Sequence, residues 1–127
     1  MKNNVIIATA LNEHVRIYLM NSTRIVEDAR IAHDLYPTSA AALGRTMSVT
    51  ALMGMMQKDE NEQVSVIING GGPIGTVMCV ANSSGHVKGF CGDNHFYETY
   101  PGTHKLAVGV GVGKDGYLKV TKNLYKQ

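Results

Sequence analysis

The sequence has no uninterrupted apolar stretch approaching the length needed to cross a bilayer, so no membrane association is expected. Near the N-terminus the apolar run Val5-Ile6-Ile7-Ala8 is too short for a signal peptide, although Ala8-Thr9-Ala10 superficially resembles a cleavage site; it reads as a strand. With no export signal, the expected location is cytoplasmic. Only two cysteines occur, Cys79 and Cys91, twelve positions apart in strand-like segments. They form neither a CxxC pair nor a zinc knuckle, and in a reducing compartment they read as small buried thiols. The five histidines show no HxxxH or HExxH spacing, so no metal site is assigned. No GxSxG elbow surrounds a serine, and nothing supports catalysis. The net charge of +2 and pI near 8.6 give too weak a basic field to imply nucleic-acid binding.

What is present is 127 residues with 44% hydrophobic content, enough for one domain with a core, and 14 glycines that punctuate a β-rich chain. Residues 5–11 and 15–20 predict an N-terminal hairpin. Ser22 or Thr23 is expected to cap a first helix ending near Leu35. Pro37 then disfavours helical geometry at Tyr36, and Thr38 or Ser39 is expected to cap a second helix reaching about Gln57. That helix is apolar over much of its circumference, with Leu43, Met47, Thr50 and Gly54 along one stripe, and should be largely buried. Strands are expected over 64–68, 76–81 and 87–91, the last two joined by the turn Asn82-Ser83-Ser84-Gly85. Residues 93–104 read as an irregular aromatic loop. A last hairpin is expected from 108–112 and 117–124, turning at Asp115-Gly116. The segregation of strands and helices predicts an α+β fold: a largely antiparallel or mixed sheet with two consecutive helices packed on it.

Two segments fit GxGxxG, residues 70–75 and 111–116, but each is followed by a strand-like run instead of the helix that phosphate cradling requires. A second feature is the crowding of Met47, Met53, Met55 and Met56 into ten residues of one helix. Flexible thioethers suit a promiscuous surface and equally suit core filling; Met47 and Met53 lean to core, while Met55 and Met56 stay open between the two. His95, Phe96, Tyr97 and Tyr100 form an aromatic loop that either packs locally or meets a partner. The residues alone reach a soluble α+β domain and no further.

The run Tyr36-Pro37-Thr38-Ser39-Ala40-Ala41-Ala42-Leu43-Gly44-Arg45-Thr46-Met47 resembles a signature of the redox-regulated heat-shock chaperonins, the family named for its thirty-three-kilodalton size. Residues 70–75, the hairpin 81–89 and residues 105–124 resemble the same family in the same order; residues 94–103 match least. The resemblance implies an ATP-independent holdase, not an enzyme, that binds unfolded or misfolded proteins under oxidative and heat stress. It implies that residues 1–127 are an incomplete N-terminal core domain. The family's CxC and CxxC zinc switch, part of a C-terminal domain, is absent from this sequence, so no cofactor is expected here, and Cys79 and Cys91 do not inherit the switch. Candidate client-binding residues are Leu52, Met53, Met55, Met56, Phe96 and Tyr97. A homodimer or larger species is expected through an exposed sheet edge at the terminal strand pair, with Lys119 and Lys122 opposing it if they lie on that edge. The alternatives are a small-ligand or nucleotide-binding α+β domain and a structural dimerisation module.

Overall fold

The computed structural model describes residues 5–124. The elements run β1 (Val5–Ala10), β2 (Val15–Met20), α1 (Thr23–His33), α2 (Pro37–Met55), β3 (Glu62–Gly71), β4 (Val77–Asn82), β5 (Val87–Cys91), α3 (Val108–Val112) and β6 (Gly113–Leu124). Two antiparallel sheets result: β1 and β2 pair as a separate ribbon, and four strands lie in the order β5-β4-β3-β6. The class is α+β.

Helix α2 lies across the four-stranded sheet. Along β4, Val77, Cys79 and Ala81 are buried while their neighbours are half-exposed, the period-2 signature of a strand with one covered face. Leu43, Met47, Thr50 and Gly54 are buried as their stripe requires. A Cβ at Gly54 would stand 2.6 Å from the Asn82 carbonyl oxygen, so the helix rides directly on the β4 backbone there. Leu43, Ile74, Val77 and Cys79 are fully enclosed at the centre of the core. Helix α1 packs on α2 and touches β5, burying none of its residues completely.

The caps differ from expectation. Neither Ser22 nor Thr23 caps α1 with its side chain: Asn21 Oδ1 accepts from the Thr23 amide at 3.1 Å and hydroxyl at 2.7 Å, while the Ser22 hydroxyl meets that of Ser48 at 2.7 Å. The helix ends on Asp34 in the left-handed region at φ 52°, where the Leu35 amide returns to the Arg30 carbonyl. Pro37 opens α2 at its first turn, where a missing amide costs nothing. Thr38 and Ser39 do not cap it; both are buried and bond residues 93–98 instead.

The expected terminal hairpin is replaced by a short helix and one long strand. Residues 108–112 form α3, and Asp115-Gly116 lies within β6, which pairs with β3 through a register irregularity at residues 69–71. The alternation Val-Gly-Val-Gly-Val reads as a strand locally, but Gly111 faces Ile74 and Phe96, with no room for a Cβ. Three hydrogen bonds fix this docking: Gly111 to the Ala107 carbonyl, Ile74 to the Gly111 carbonyl and Gly72 to the Val112 carbonyl, at 2.9–3.0 Å.

Candidate functional site

The two glycine-rich segments pack against each other. Gly72 and Ile74 donate to residues of α3, Gly75 donates to the Gly72 carbonyl and Gly71 to Asn69 Oδ1, so four loop amides already have partners. Neither segment opens a helix; one joins β3 to β4 and the other joins α3 to β6. Neither segment is therefore a phosphate cradle, which needs free amides converging at a helix start. The cysteine thiols are equally ill placed for chemistry. Both are free and buried; burial, opposed by a hydrogen bond from Thr50, pushes Cys79 up from 9.0 to about 12, and burial with the charge of Asp93 pushes Cys91 up. A thiol held protonated is a poor nucleophile and a poor metal ligand. Among the described residues, no three His, Cys, Asp or Glu side chains come together as a metal-binding group, and no helix is long and apolar enough to cross a membrane.

What the surface offers is apolar area. On the β1–β2 ribbon, the pairs Ile6–Leu19, Ala8–Ile17 and Ala10–Val15 share one face. That face contains no polar side chain, and Ile6 and Leu19 are 58% and 56% exposed. Its sequence signal is visible in retrospect: alternate positions of both strands are apolar, in a register that aligns them. Strand β6, an edge strand twelve residues long, exposes Leu118 and Val120 on one face and Tyr117 on the other. Lys119 projects to the side away from α2, while Lys122, on the helix side, reaches the largely buried carboxylate of Glu62 at 3.4 Å.

The sequence-derived candidates divide into two groups. At the C-terminal end of α2, Leu52, Met53 and Met55 are half-buried and Met56 is 47% exposed. Phe96 is half-buried and packs against the core, while its neighbour Tyr97 is 61% exposed. Thr38 and Ser39 tie the aromatic loop to the opposite end of α2: the Thr38 hydroxyl donates to the Glu98 carbonyl and accepts from its amide, each at 2.9 Å, and the Ser39 hydroxyl donates to the Asp93 carbonyl at 2.6 Å. At 1.5 Å per residue, the two groups stand roughly 25 Å apart. They are separate patches, one at the C-terminal end of α2 and one on the loop tied to its start.

The fold and site together define an α+β domain with internally engaged glycine loops, buried protonated thiols and several uncovered apolar strand surfaces. The Hsp33 protein family model matches residues 3–127, and the chain belongs to that family. It is 43% identical to the 33 kDa chaperonin of Alkaliphilus metalliredigens and 42% identical to that of Clostridioides difficile, each over 98% of this chain. The structure is similar to that of the Thermotoga maritima 33 kDa chaperonin, with a TM-score of 0.85 and 27% identity over 93% of this chain and 40% of that one. The chain spans 42% and 43% of the lengths of the two curated relatives.

Proposed function

We propose that this chain is the polypeptide-binding core of an ATP-independent holdase, capturing unfolded proteins in the cytoplasm under oxidative and heat stress. In this reading residues 1–127 are the incomplete N-terminal core, the zinc-binding redox switch belongs to sequence outside them, and the chain acts by binding without catalysis or a cofactor. The observation that carries it is the apolar face of the β1–β2 ribbon, because an all-apolar strand surface offers unfolded chains burial without demanding a sequence. Leu52, Met53, Met55, Met56, Phe96 and Tyr97 are the accessory contacts, of which Met56 and Tyr97 offer the most open area. Family membership supports the reading, and the mutual engagement of the glycine loops favours it over a nucleotide-binding domain.

The partner set includes a second copy of the chain. Strand β6 is the terminal strand of its sheet, and among the described residues no strand pairs with its outer edge. Such an edge is a template for another chain. Neither nucleic acid nor membrane enters this proposal.

The test is light scattering from a thermally unfolding client enzyme without nucleotide. Suppression that rises with the protein concentration is expected, independent of oxidant because the switch cysteines are absent. Equal aggregation with and without excess protein would sink the proposal.

A further inference from the structure

Helix α2 sets methionine sulfur at three depths. Met47 is 3% exposed within the core, Met53 and Met55 are half-buried, and Met56, the residue that closes the helix, is 47% exposed. Among the described residues Met56 is the exposed methionine, since Met20 and Met78 are half-buried. It stands three and four residues beyond Met53 and Leu52, the spacing that brings side chains together on one side of a helix. The helix end beneath them is held by backbone. A Cβ at Gly54 would meet the Asn82 carbonyl, the Met56 amide donates to the Leu52 and Met53 carbonyls at 3.2 Å, and the Gln57 side-chain amide donates to the Met53 carbonyl at 3.0 Å. None of these contacts uses the Met56 thioether, so its chemistry can change while the helix end stays formed.

The cysteine sulfurs are closed to oxidants. Cys79 is fully enclosed and Cys91 is 6% exposed, and burial holds both as thiols, the less reactive form. A peroxide arriving from solvent therefore meets Met56 first. One peroxide oxygen bonds to the sulfur as the O–O bond breaks; the sulfur gives up two electrons, and the second oxygen leaves with both protons as water. The product is a sulfoxide, polar and chiral where the thioether was flexible and apolar. Covered by an apolar chain, its oxygen would be buried without a hydrogen-bond partner, which opposes the contact. A reductase with a dithiol reverses the change, releasing the oxygen as water and ending as a disulfide.

We infer that Met56 is a reversible oxidation site, and that its sulfoxide withdraws the C-terminal end of α2 from polypeptide contact, leaving the ribbon face to carry binding. The inference rests on the proposed polypeptide binding, to which it adds a local control by oxidant that uses neither cysteine.

Peptide mapping by mass spectrometry after millimolar hydrogen peroxide tests the site. The added oxygen should appear on Met56 on the order of tenfold faster than on Met47, with Cys79 and Cys91 unmodified in the folded protein. Methyl NMR of the same samples tests the consequence. Before oxidation, a permanently unfolded polypeptide is expected to shift the methyl signals of Leu52 and Met56 together with those of Ile6 and Leu19. After oxidation the Leu52 shift is lost while the Ile6 and Leu19 shifts remain, and methionine sulfoxide reductases restore the first. Met56→Gln, which puts a polar side chain there without oxidant, should lose the Leu52 shift with the urea midpoint unchanged. Equal oxidation rates at Met56 and Met47, or a Leu52 shift indifferent to oxidation, overturns the inference. If the variant fails to fold, the oxidation series on the unaltered protein decides alone. A polypeptide that shifts Ile6 and Leu19 but neither Leu52 nor Met56 overturns the inference and leaves the polypeptide-binding reading standing; one that shifts none of the four removes that reading and this control with it.

Discussion

Thr38, Ser39 and Cys79 are all small, fully enclosed and polar or polarisable, yet they play different parts. The two hydroxyls each serve as donor and acceptor to backbone of the aromatic loop, so satisfied hydrogen bonds hold an irregular segment that has little regular structure of its own. Cys79 contributes apolar volume, and its burial makes stability depend on pH. Its folded pKa of about 12 lies above the 9.0 of the free group, so between those values the unfolded chain loses a proton that the folded chain keeps. The unfolded state then binds fewer protons, and stability falls as pH rises, with a limiting slope of about 1.4 kcal/mol per unit for this thiol. Urea midpoints measured from pH 8 to pH 11 should decline from about pH 9 upward, and less steeply in Cys79→Ala. Parallel profiles for the two proteins would show that the thiol is not held protonated by the fold.

At the scale of elements, α3 and the start of β6 depend on close packing around glycine. In Gly111→Ala the new methyl meets Ile74 and Phe96, and overpacking of about 1–3 kcal/mol outweighs the gain in helix propensity of about 1 kcal/mol. Gly109, two residues earlier, has the Tyr100 hydroxyl at 3.3 Å as the nearest neighbour of a built Cβ, so Gly109→Ala should be close to neutral. Urea denaturation separates the two; equal midpoints would mean that α3 is loosely docked. The same residues explain what the sequence hides. Residues 87–91 were readable as a strand because alternation and a turn of Asn, Ser and Gly agree with the tertiary pairing. Residues 108–112 alternate equally well, yet their conformation is set by contacts with residues 72–74 and 96, which no local pattern reports. Asp115-Gly116 has the chemistry of a turn but lies in a strand that pairs across the register irregularity of β3. Among the candidate residues, Met56 was singled out from the methionine crowding at the end of α2, but neither the distance between the two candidate patches nor the uncovered face of the ribbon could be read before the register was known.

For the whole molecule, apolar strand surface is concentrated at the ribbon and at β6, on opposite sides of the chain's sequence but outside the same core. Pairing of β6 with its equivalent in a second copy is expected to give a dimer at micromolar concentration. Leu118→Lys with Val120→Lys, both at exposed positions, should shift it to monomer, because charge on an edge strand blunts pairing. Sedimentation equilibrium checks this; a compact monomer before substitution would place the β6 surface outside any self-association. The central claim, however, is that the chain recognises unfolded polypeptide by its exposed apolar surface. The most direct measurement is sedimentation velocity of the protein with a permanently unfolded, labelled polypeptide, compared with the native form of the same polypeptide, without nucleotide. The account predicts co-sedimentation with the unfolded form alone, lost when Ile6→Lys and Leu19→Lys put charge on the ribbon face. Equal binding of the two forms, or binding of neither, would contradict it.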